Sequence, residues 1–469
     1  MKSKFFRILS ILGGALFAAV FTHTAMAQET MRPETTATEE SAPDTLDQIM
    51  EDHWAWVMKE SPVFATSLGV RDYDDKLSDP SLEAEAKREE KTAAFVERLK
   101  GLDPEEMSAE DRVNYKLLLL NLENDLEAAQ FGGKYFLMSN RYGPHTTVTR
   151  LPDQLPFFTF DDYESYVARL EAVPAYLEAA KETLRAGVEA GWTRPCEAME
   201  GVEASIRYNI VDDANDSALL KPFEKQPSSI SRRNWRQLKA DAADAIDDKV
   251  MPALTAFADF YKEEYAPACK EDVGVSALPD GLDYYAHRAR VYTTTDKTPD
   301  EIHKIGLSEV KRIRAEMAEV IESTGFEGDF GAFQEFLRTD PQFYAKTPEE
   351  LMAANALVAK KADGALTQLF TRLPRMPYTV KPIPEDVAEG TTTAYYEPPA
   401  GDGSRPGVYR INTSKLDTRP LFEIEALTLH EAVPGHHFQI ALAQETEIPN
   451  FRKYGFITAF VEGWGLYAE

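Results

Sequence analysis

Pro434 follows His430 by four residues, and that spacing restricts the fold of this chain more than any other feature of it. The run reads Leu427-Thr-Leu-His430-Glu431-Ala-Val-Pro434-Gly435-His436-His437-Phe-Gln439. Proline has no N–H to give to the carbonyl four residues back, so a helix running through His430 is disrupted there. Gly435 then permits almost any backbone angle. The chain has eight histidines and places three of them in these eight consecutive residues, beside a glutamate. In an ordinary H-E-x-x-H helix the two histidines share one face and bind zinc, and the glutamate is the general base. On a straight helix, position i+6 would lie about 120° round from His430, and position i+7 about 10 Å further along the axis. Neither could share a zinc with His430 at a bond length of about 2.1 Å. An interrupted or bulged helix removes the difficulty. Reading Pro-Gly-His436 as the shifted end of the motif makes His436 the second ligand in preference to His437. His437 then becomes a supporting or substrate-facing group.

A catalytic zinc takes three protein ligands and keeps one position for water. The expected third is Glu462, in Phe460-Val-Glu462-Gly-Trp-Gly-Leu-Tyr-Ala-Glu469. An unpaired carboxylate among apolar and aromatic residues would be costly, and a metal relieves that cost. Glu469 lies seven residues on, on the same helical face, where it could support a ligand from behind. Taken singly, the His-Glu pair reads as a solvated helix face and Glu462 as an arginine partner. Taken together, they favour a metal.

Helical periodicity dominates from Thr45 onward, over about 46–60, 82–100, 162–190, 198–212 and 233–263. Ser108-Ala-Glu-Asp111, Thr298-Pro-Asp-Glu301 and Thr347-Pro-Glu-Glu350 have the form of capping boxes that open further helices. Between Met376 and Thr413 prolines cluster and two short β-like runs occur, Thr391–Tyr396 and Gly407–Asn412, with a Gly-Asp-Gly-Ser turn between them. The reading is a mainly α, multi-helical domain over 45–469 with a small β-hairpin just before the metal-binding helix. Tyr395 and Tyr396 read chiefly as core packing.

Lys2, Lys4 and Arg7, an apolar run from Ile8 to Phe21, and Ala25-Met26-Ala27 predict a cleaved signal peptide at 1–27. Residues 28–44 are rich in Glu, Thr and Pro and read as a disordered leader. Export to the periplasm or beyond is therefore expected. No cysteine follows the cleavage site, which argues against a lipid anchor, and no later run approaches the roughly 18 apolar residues of a membrane span. Losing the signal takes the net charge from −28 to −31. A chain that acidic repels nucleic acid and anionic lipid. Cys196 and Cys269 could form one disulfide or remain two buried thiols.

The run His430-Glu431-x-x-Pro434-Gly435-His436 resembles the hallmark of the bacterial domain-of-unknown-function 885 family. Ser61-Pro-Val-Phe-Ala-Thr-Ser-Leu-Gly69, the following Asp72-Tyr-Asp, and the segment from Tyr395 to Asn412 resemble that family as well, so the likeness covers most of the chain. The family is similar to the gluzincin peptidases, and Phe-Val-Glu462 more distantly resembles the third-ligand helix of thimet-oligopeptidase-like enzymes. The resemblance implies a zincin-like metallopeptidase with His430, His436 and Glu462 on zinc and Glu431 as base. It also implies further chain beyond Glu469. The expected chemistry is hydrolysis of a peptide, with Glu431 taking a proton from zinc-bound water. Tyr409, His437 and Tyr467 are the candidate oxyanion donors. The hairpin could pair with a peptide substrate as an added strand. The competing readings are a metal-dependent hydrolase of another amide or ester, and an exported binding protein without catalysis.

Overall fold

Short polar side chains set the helix starts of this protein. A computed structural model describes residues 44–469; the expected signal at 1–27 and nearly all of the expected leader at 28–44 lie outside the described residues. Helices α1 (Leu46–Glu60), α2 (Leu82–Lys100) and α3 (Ala109–Ala129) begin at Thr45, Ser81 and Ser108, whose hydroxyls each accept an amide of the first turn. Ile49, Phe95, Leu99, Leu118 and Leu122 close a core between them. Helix α4 (Phe160–Glu189) carries a full capping box of Thr159 and Asp162 that the sequence reading did not single out. It packs on α5 (Arg232–Ala245) and α6 (Met251–Phe260), which are joined by one wide turn at Ile246–Val250. Leu170, Val173, Leu177, Leu184, Leu254 and Phe257 fill that larger core.

Arg169 of α4 is almost fully buried and holds the segment 61–76 against the core. Its guanidinium donates to the carbonyls of Pro62, Tyr73 and Lys76 and to the Thr66 hydroxyl. Burial pulls its pKa down to about 10, so it remains charged at neutral pH. Cys196 and Cys269 are bonded to each other, Cα to Cα 5.0 Å, beside a bridge between Pro195 and Lys270. Of the two readings of these cysteines, the structure has the disulfide.

Helix α7 (Gly281–Thr293) leads to α8 (Pro299–Thr324), α9 (Phe330–Thr339) and α10 (Pro348–Leu369). The Thr298 box is complete. At Thr347 the Glu350 carboxylate reaches one residue further and accepts the Lys346 amide instead. The expected helix over 198–212 is shorter, Val202–Tyr208, because Gly201 enters in the left-handed region and breaks the preceding turn.

The β region is a three-stranded sheet rather than a bare hairpin. β2 (Ala394–Glu397) and β3 (Gly407–Ile411) pair antiparallel as expected, with Tyr396 opposite Tyr409. β1 (Tyr378–Pro382) joins the other side of β3 in parallel, giving the order β1-β3-β2. Proline at its end and its half-exposed residues hide β1 from a pattern search. Helix α10 backs the sheet through Leu351, which packs with Tyr409, Ile411 and Ile424. Among the described residues no helix is long and apolar enough to cross a membrane.

Candidate metal centre

Helix α11 (Ile424–Glu431) stops where proline requires it to stop. Ala432 still donates to the Thr428 carbonyl, then leaves the helix at φ −102° and ψ −106°, and the Val433–Pro434 bond is cis. The next helix, α12 (His436–Gln444), starts afresh, with the amide of His437 donating to the Ala432 carbonyl. Gly435 is required here by space. A Cβ on it would lie 1.9 Å from the His430 carbonyl oxygen and 2.3 Å from that of Leu429. The chain thus folds tightly over the end of α11 and sets the His430 and His436 rings 4.5 Å apart at 82°.

Helix α13 (Thr458–Ala468) packs across both. Glu462 places one carboxylate oxygen 3.4 Å from His430 Nε2 and 3.7 Å from His436 Nε2. The three ligand atoms all lie within 4.8 Å of one another. Ligand atoms at about 2.1 Å from a tetrahedral zinc stand about 3.4 Å apart, so the donor set has the composition and nearly the spacing that such an ion needs. Two further residues of α13 fix the approach. Trp464 donates its indole N–H to the Pro434 carbonyl at 2.7 Å. Gly465 faces the His430 ring so closely that a Cβ would stand 2.6 Å from its Cε1. Neither residue was singled out in the sequence, although the Gly-Trp-Gly run contains both.

Behind His430, the Glu469 carboxylate lies 2.7 Å from Nδ1. That contact places the proton on Nδ1 and turns the bare Nε2 toward Glu462. His436 Nδ1 is buried without a partner, so its ring is oriented by packing rather than by a hydrogen bond.

Glu431 is buried. Burial pushes its pKa up to about 7, with Glu462 and Glu469 acting in the same direction and His430 against it. Strand β2 packs against α11, which carries this glutamate. Asn412 donates to the Thr393 carbonyl, so in the alternating pattern residues 393, 395 and 397 bond to β3, while Ala394 and Tyr396 direct their N–H and C=O outward. β2 therefore presents a free edge at the glutamate.

Two expected donors prove to be structural. Tyr409 is fully buried, donates to Asn355 Oδ1 at 2.9 Å and has Thr428 Oγ1 at 3.3 Å. A hydroxyl so placed cannot face a substrate. The reading failed because alternation places Tyr409 on the inner face of the central strand, which a two-stranded reading leaves open. His437 is equally committed. Its Nε2 donates to the Met376 carbonyl at 3.0 Å and its Nδ1 accepts from the Tyr396 hydroxyl at 2.9 Å. Burial lowers its pKa to about 4, so it stays neutral. Neither nitrogen is left for a substrate or an oxyanion, and the ring clamps α12 to the sheet. Tyr467, the third candidate, is largely exposed and packs near Trp464.

A family model described as "Bacterial protein of unknown function (DUF885)" matches residues 62–469. In fold, the crystal structure of a "putative lipoprotein" from Colwellia psychrerythraea is similar with a TM-score of 0.81 at 23% identity, covering 90% of this chain and 76% of that one. A second such protein, of unknown function, from Shewanella oneidensis has a TM-score of 0.58 at 17% identity, covering 91% and 77%. These two likenesses bear on the fold alone. No curated protein matches.

Proposed function

From the premise that this chain belongs to DUF885, a bacterial family of unknown function, we propose that it is a zinc-dependent peptidase of zincin-like build that works outside the cytoplasm. The observation that carries this reading is the convergence of His430, His436 and Glu462, with a carboxylate behind His430 and a buried glutamate next to it. Structural ion pairs do not need that combination. Zinc held by His430, His436 and Glu462 would supply a Lewis acid. The protein's own residues do the rest. Glu431, buried beside the ligand His430, takes a proton from the attacking water and returns it to the leaving amine. Glu469 holds the His430 ring in its tautomer.

A peptide is favoured over another amide or an ester by the free edge of β2. Its outward amides and carbonyls offer an extended chain the hydrogen bonds of an added strand, alongside Glu431. Export is supported by the N-terminal pattern of Lys2, Lys4, Arg7 and Ala25-Met26-Ala27, by the disulfide, and by relatives in fold that are described as lipoproteins.

The test is metal analysis with a peptide-library assay on the wild type and Glu431→Gln. Near-stoichiometric zinc in both proteins, with hydrolysis reduced at least ~100-fold only in the variant, is the expected result. A wild type that takes up no zinc from supplemented medium sinks the proposal. Zinc binding with cleavage of esters but not peptides transfers it to another hydrolase class.

A further inference from the structure

Beyond the metal centre, the outer face of β2 borders a cavity whose wall includes two arginines. Side chains alternate along a strand, so Tyr395 and Glu397 lie on the face opposite Tyr396. There they line a cavity of about 310 Å³ together with Arg141, Arg150, Thr391 and Thr392. The charges in it do not cancel. Glu397 is already engaged by Arg410, at 3.1 Å from the Arg410 Nε. Arg150 stands beside the neutral Tyr395 phenol on the same wall. Among the described residues neither Arg141 nor Arg150 has a carboxylate partner within ion-pair distance. Arg88, Arg98 and Arg207 each hold two carboxylates, whereas here two guanidinium groups line one cavity without one.

We propose that Arg141 and Arg150 form a carboxylate-binding subsite, which selects peptides that carry an acidic group where an added strand on β2 turns a side chain or its terminus into this cavity. The inference rests on the reading of β2 as the strand that receives substrate. Two guanidinium groups suit a planar carboxylate, which each can hold with paired N–H donors. The Thr392 hydroxyl adds a neutral donor at the same wall, while that of Thr391 already donates to the Val387 carbonyl. The carboxylate could be a glutamate or aspartate side chain or the C-terminus of the peptide. The chemistry of recognition is the same, and the experiment separates the two.

The probe is a set of N-acetylated Ala/Ser octapeptides with Glu or Gln scanned through each position, each made with a free and an amidated C-terminus. Binding is measured by calorimetry to zinc-loaded Glu431→Gln protein, which leaves the peptides intact. The expected result is a preference of roughly tenfold or more for the acidic member of one pair. A preference set by Glu against Gln assigns a side chain; one set by amidation assigns the terminus. Adding Arg141→Gln or Arg150→Gln should abolish the preference without weakening the neutral peptide, and raising the salt concentration should shrink it. Because Arg150 is half-buried, Arg150→Lys and the Tm of every variant establish that the fold is kept. Acidic and neutral peptides that bind alike, or arginine variants that weaken both equally, overturn the subsite. So does an absence of peptide binding. Hydrolysis of the neutral peptide by the wild type is read separately. Cleavage without any acidic preference defeats the subsite alone, and selective binding without cleavage defeats the peptidase reading alone.

Discussion

At the scale of single residues, the metal centre depends on glycines as much as on its ligands. Gly465 and Gly463 lie two positions apart on α13, yet a Cβ on Gly465 would lie 2.6 Å from the His430 ring while a Cβ on Gly463 would meet nothing within 4 Å. Gly465→Ala should therefore displace His430 and lower zinc occupancy sharply, whereas Gly463→Ala should leave zinc stoichiometry unchanged. Equal zinc contents in the two variants would show that the rings are not held as described. Behind His430, replacing Glu469 by Gln removes the charge that orients the ring. Competition with a chelator should then report zinc affinity about 10- to 100-fold weaker. Tyr409→Phe tests a negative expectation. It breaks a buried hydrogen bond to Asn355 and should cost about 1 kcal/mol of stability. kcat should stay within a few-fold of the wild type, because the hydroxyl does not face substrate; a collapse in kcat would restore Tyr409 as the oxyanion donor.

Between elements, contacts of buried polar groups fix how the pieces meet. Arg169 gathers three carbonyls and a hydroxyl from the segment 61–76. Arg169→Met keeps the volume and strands those acceptors, so urea unfolding should show a loss of roughly 3 kcal/mol or more. His437 does comparable work between α12 and the sheet through Tyr396 and Met376. The helices themselves were legible because their signals are local: Thr298 and Thr347 cap the helices that follow them. The paired strands β2 and β3 were legible by their alternation and the turn between them. β1 was not, because its partner β3 is distant in sequence and its own residues carry no strong period.

For the whole molecule, two observations bear on stability. The disulfide joins residues 73 apart, and removing it with the double substitution Cys196→Ser and Cys269→Ser should cost about 2–5 kcal/mol. His53 and His145 are buried, and burial lowers the pKa of each to about 4. The unfolded chain takes up these protons near pH 6.5 and the folded one only near pH 4. Their stabilising effect is therefore complete above about pH 6.5 and is lost as pH falls toward 4, on the order of 3 kcal/mol for each. Stability measured across that window should drop, and His53→Phe, which suits the neighbouring Trp56 and Phe95 rings, should flatten the slope.

The sequence alone determined that the helix through His430 must break at Pro434, that Gly435 frees the backbone beyond it, and that zinc-type donors gather around the break. Those conclusions rest on backbone rules that act over a few residues. Only the tertiary structure decided which side chains meet. It set Glu462 against both histidines, buried Tyr409 and occupied both nitrogens of His437. It also joined Cys196 to Cys269 and set Arg141 and Arg150 on one cavity wall beside β2. These outcomes depend on elements far apart in the chain packing at fixed distances, and no local pattern of residues encodes a distance between two helices.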